Sequence, residues 1–104
     1  MCIRDSKQIA ARGGIIGIGY FSGVICDITP DGIADAIVDA VNLLGPDAVA
    51  LGSDYDGTVK VTLDTSELAA ITDALLRAGM EKSVIRKVMG ENAKRFFTEN
   101  LPVE

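Results

Sequence analysis

The sequence predicts an α/β chain built on parallel strands, and three features predict it. Two short apolar runs, Gly14–Tyr20 and Ala48–Ser53, are separated by one amphipathic helical stretch. A run that is apolar on both faces suits a buried parallel strand with cover on each side. The second run stops abruptly at two acids in AVALGSDYDG (Ala48–Gly57), so Asp54 stands at the carboxyl end of its strand. Open and closed parallel sheets place their chemistry at that end.

The elements follow in order. Gly14–Tyr20, GIIGIGY, reads as a strand whose glycines mark close backbone approach. Phe21–Ile28 is a loop. Thr29 is a good helix N-cap, and Pro30 at the first helical position has no N–H to waste. Ile33, Ile37, Val41 and Leu44 then share one helical face, and Gly45-Pro46 ends the helix. Ala48–Ser53 is the second strand. Thr58–Leu63 is a loop of mildly strand-like character. Asp64 and Glu67 resemble a capping box for the next helix, which turns Leu68, Ile71, Leu75 and Leu76 inward and ends at Gly79. A short helix over Glu81–Met89 closes at Gly90. The last helix covers Asn92–Glu99, with Phe96 and Phe97 facing inward and Asn92 as its N-cap.

Composition bounds the function. The chain has 104 residues, enough for one core, with 48% hydrophobic and 24% charged residues, which excludes a disordered chain. A net charge of −5 argues against nucleic acid and anionic membrane as partners. No apolar stretch approaches the ~20 residues of a membrane span. The two cysteines, Cys2 and Cys26, show no metal-site or disulfide spacing, and Cys26 reads as a small buried hydrophobe. The chain contains no histidine.

Met1–Ser6, MCIRDS, resembles a translated transposase end sequence of the kind used in sequencing libraries. The natural chain is therefore expected to begin before Lys7, and these six residues are set aside from the fold prediction. Two parallel strands leave two open edges and cover each other poorly. A complete (β/α)8 barrel takes ~250 residues. The expected architecture for residues 7–104 is the last two β/α units of such a barrel, followed by C-terminal helices.

Four stretches carry a resemblance to a known family. GIIGIGYFSGVICDITPDGIADAI, GPDAVALGSDYDG, DTSELAAITDALLRAGM and IRKVMGENAKRFF closely resemble the C-terminal part of the membrane (renal) dipeptidases, the bacterial branch best. The resemblance runs from about Gly13 to Leu101. It implies an amidohydrolase-like barrel with two zinc ions bridged by a hydroxide that attacks dipeptides. It places the family's eighth-strand aspartate on Asp54, as the group that takes a proton from the attacking water and then hands it to the leaving amine or holds the substrate's free amino group. A carboxylate beside zinc stays ionised and serves as a base because the metals acidify the water. The resemblance also places a substrate-lining aromatic on Phe21, with Tyr20 beside it. It implies a dipeptide substrate, allows a homodimer of the intact enzyme, and favours the cytoplasm for a bacterial type. The family's ligands are a His-x-Asp pair, a bridging glutamate and two later histidines, all upstream of this segment. The chain by itself is therefore expected to bind no zinc and to be inactive.

Simpler readings stand beside these. Asp56-Gly57 suits a tight turn. Phe21 by spacing alone suits a core position. Ser53 beside Asp54 lacks any base for a hydrolase triad. Lys82, Arg86, Lys87, Lys94 and Arg95 read as a solvated helix face. Three other functions compete. Gly17, Gly19 and Gly23 form a GxGxxxG variant, but the helix that should open on them starts only near Pro30, which weakens a nucleotide-binding module. A deoxyribonuclease- or deaminase-like amidohydrolase also ends its eighth strand in aspartate. A non-catalytic interaction domain needs none of these groups.

Overall fold

The computed structural model describes residues 3–20, 28–52 and 68–102. The element order is α1 (Ile3–Ala11), β1 (Ile16–Gly19), α2 (Pro30–Leu44), β2 (Val49–Gly52), α3 (Ala69–Arg77), α4 (Lys82–Arg86) and α5 (Asn92–Asn100), with a wide turn over Lys87–Glu91 between the last two. Phe21, Cys26, Ser53, Asp54, Asp56, the Thr58–Leu63 loop and the Asp64/Glu67 capping box lie outside the described residues.

The two strands pair in parallel, with Ile16 opposite Val49, Gly17 opposite Ala50, Ile18 opposite Leu51 and Gly19 opposite Gly52. Both are shorter than the apolar runs that encode them. Strand alternation puts Ile16, Ile18, Val49 and Leu51 on one face, and all four belong to the core or pack on it. Gly17, Gly19, Ala50 and Gly52 form the other face, where Gly17 is exposed. Ala50 on that face is buried and Gly19 and Gly52 are partly buried, so Gly17 is the exposed member of the pair of strands.

Thr29 caps α2 as its sequence predicts. Its hydroxyl accepts a hydrogen bond from the Gly32 N–H at 3.2 Å. Ile33 and Ile37 are fully buried, and α2 packs along α3 through Ile71 and Leu75, also fully buried. Removing each of these side chains from water stabilises the fold by about 1.5–3 kcal/mol. Ile85 and Val88 close the core from the α4 side.

Two features depart from the sequence reading. First, α1 begins at Ile3, inside the six residues set aside, and packs on α2 and β1. It ends at Gly13 (φ 82°), whose N–H reaches Ala10 O, while the Gly14 N–H reaches Ile9 O. This is the Schellman pattern, and it brings Gly14 so close that a Cβ there would sit 2.6 Å from Ile9 Cγ2. Second, Leu76 is 44% exposed and Phe97 54% exposed, so neither faces inward as predicted. Ala74 takes the buried place on α3. The predicted Glu81–Met89 helix starts at Lys82, widens past Arg86, and breaks where the sequence places its end, at Gly90 (φ 178°, ψ −33°).

Candidate active site

The parallel register brings the carboxyl ends of β1 and β2 together, because their last residues, Gly19 and Gly52, are partners. Tyr20, expected beside the substrate, is 3% exposed and belongs to the core cluster. Phe21 and Asp54, the other two predicted site residues, lie outside the described residues, as does Asp56.

The opposite end of the sheet holds a polar cluster that the sequence reading missed. Asn92 is 2% exposed. It is not the N-cap predicted for α5, since Glu91 with helical φ and ψ precedes it. Its Nδ2 instead donates to Pro46 O at 2.7 Å and to Val49 O at 2.8 Å. Arg95 Nη2 donates to Asp47 O at 2.9 Å. Lys87 Nζ lies 2.7 Å from Asp47 Oδ1. This hydrogen bond holds the Asp47 carboxyl below the usual carboxylate range; its slight desolvation opposes the shift, and the charges of Lys87 and Arg95 reinforce it. Lys87 and Arg95, predicted on a solvated face, remain solvent-accessible and also bond the Asp47 segment. An open cavity of about 440 Å³ lies at this same end, with Gly14, Leu44, Pro46 and Arg95 among its lining residues. No local pattern announces the Asn92 contacts, because their partners lie 43 and 46 residues away.

The donor set does not suit a metal centre by itself. The sequence has no histidine, and among the described residues no three His, Cys, Asp or Glu side chains converge. No helix among the described residues is long and apolar enough to cross a membrane.

A parallel strand–helix–strand unit with helices packed on one face defines a piece of an α/β protein of the parallel-sheet class. The chain belongs to the membrane dipeptidase family, peptidase family M19, whose profile matches residues 4–102. It is 27% identical over 100 residues to the dipeptidase ataJ of Aspergillus terreus, spanning 88% of this chain and 24% of that protein. It is 31% identical over 74 residues to the dipeptidase tcpJ of Claviceps purpurea, spanning 68% of this chain and 17% of that protein. Among solved structures, an amidohydrolase from Pseudomonas aeruginosa superposes with a TM-score of 0.79 at 30% identity, over 89% of this chain and 38% of that one. A dipeptidase described as a metallopeptidase of family M19 superposes with a TM-score of 0.77 at 22% identity, over 88% of this chain and 30% of that one. The chain thus spans about a quarter or less of these fungal relatives and under two fifths of these solved structures.

Proposed function

We propose that this chain is the carboxyl-terminal part of a metal-dependent dipeptidase, supplying the last two β/α units of a closed barrel and the proton-carrying Asp54. One observation carries the reading: the paired last residues Gly19 and Gly52 stand side by side at the carboxyl ends of the strands, where parallel sheets do chemistry, and Phe21 and Asp54 each lie two residues further along the sequence. In this reading Asp54 accepts a proton from the attacking water and returns it to the leaving amine of the dipeptide. Phe21 lines the substrate pocket, and buried Tyr20 supports it from the core side. Zinc, which acidifies an attacking water when bound, is held by ligands outside this chain, since the residues present do not fit it. The chain alone is therefore inactive.

The coding sequence upstream of Lys7 tests the proposal directly. A strand opening with His-x-Asp, then a glutamate and two further histidines, is the expected result. An upstream sequence with no such set overturns it.

A further inference from the structure

We infer that Asn92, with Arg95 and Lys87, is a positioning clamp that fixes where β2 delivers Asp54. The inference rests on the proton-carrying role proposed for Asp54. A primary amide nitrogen has two hydrogens. Asn92 spends both on the backbone at the start of β2, one on Pro46 O and one on Val49 O. Arg95 takes the carbonyl between them, that of Asp47, and Lys87 takes the Asp47 carboxylate. Three side chains from one turn and one helix thus hold the residues that lead into the strand.

The strand needs such a hold. It has four residues and, among the described residues, one neighbouring strand. A shift by one residue would turn Val49 out of the core and the small-residue face in. The wide turn at Lys87–Glu91 packs against β2, and α5 starts directly from it with Asn92. The clamp grips at Val49, and Asp54 follows five residues later in the chain. A catalytic group misplaced by about 1 Å can cost about 10²-fold in rate. Both acceptors of Asn92 are carbonyl oxygens, so its position demands a donor. Aspartate, which has the same shape, would present oxygens to oxygens.

Two measurements test the clamp. The first is amide hydrogen exchange at Ala50 and Leu51 in the 104-residue chain. Asn92→Asp should speed exchange there by at least about tenfold, as loss of one buried and one partly buried hydrogen bond predicts. Should the Asn92 variant lose its helical circular dichroism, Arg95→Ala removes one bond from a half-buried position and should speed the same amides by a smaller factor. Unchanged exchange in the variant that folds overturns the clamp. The second is turnover of the longer enzyme that carries this chain. Asn92→Asp should lower kcat about 10–100-fold with KM nearly unchanged. Added to Asp54→Asn it should cost no more than about twofold further, because both act through one group. Losses that multiply show a role independent of Asp54 and overturn the inference. If the longer enzyme hydrolyses no dipeptide, the functional reading falls, and the exchange measurement still decides whether the clamp holds the strand.

Discussion

Asp54 and Asp56 stand two residues apart and carry different assignments: a proton carrier and a turn residue. Asp54→Asn keeps the shape and removes the acceptor. A positioned acid–base group contributes roughly 10²–10⁴-fold in rate, so turnover of the longer enzyme should fall by that factor while its zinc content stays near that of the parent. Asp56→Asn should leave turnover within about threefold, as for a solvent-facing turn position. Steady-state rates and bound zinc for both variants check this; an Asp54→Asn enzyme as fast as the parent, or a more damaging Asp56→Asn, reverses the assignment. The role of Asn92 was not legible in the sequence, because an asparagine before a helix looks like a cap, and only the folded chain brings Pro46 and Val49 to its amide.

The helices test how well residue spacing predicts burial. Leu75 and Leu76 are neighbours on α3, and spacing alone placed both on the inner face. Leu75 is fully buried and Leu76 is 44% exposed. Leu75→Ala should therefore destabilise the chain by about 2–5 kcal/mol, the usual cost of a core leucine. Leu76→Ala should cost about 0.5 kcal/mol or less. Urea unfolding of the two variants separates them, and equal losses would contradict the packing of α3. The elements themselves were mostly readable. Thr29-Pro30 and Gly45-Pro46 bracket α2 at its observed bounds, Pro30–Leu44. Both strands are trimmed at their ends relative to the apolar runs, because hydrophobicity extends past the residues that pair. The helix α1 was missed although Gly13-Gly14 signalled its end; its polar sequence, IRDSKQIAA, offers few apolar residues to mark a buried face. Phe97 was placed inward by type, and the helix turns it out beside the half-buried Phe96.

Among the described residues, the molecule presents a parallel sheet of two strands, with isoleucine, valine and leucine on one face and glycine and alanine on the other. Each strand has an outer edge without a neighbour among the described residues. Unpaired edges recruit other strands, so the purified chain should self-associate. With no imidazole, it should bind zinc no better than surface carboxylates do, which calorimetry can read. The parallel pairing was predictable from two apolar runs joined by one capped helix. The proposed barrel requires strands besides β1 and β2. The most direct measurement is therefore complementation: dipeptide hydrolysis by the purified 104-residue chain, by the separately expressed upstream part of the longer enzyme, and by the two mixed. The predicted result is no rate from either piece and a zinc-dependent rate from the mixture, abolished by Asp54→Asn. A rate from either piece alone, or a mixture that associates and stays inactive, would contradict it.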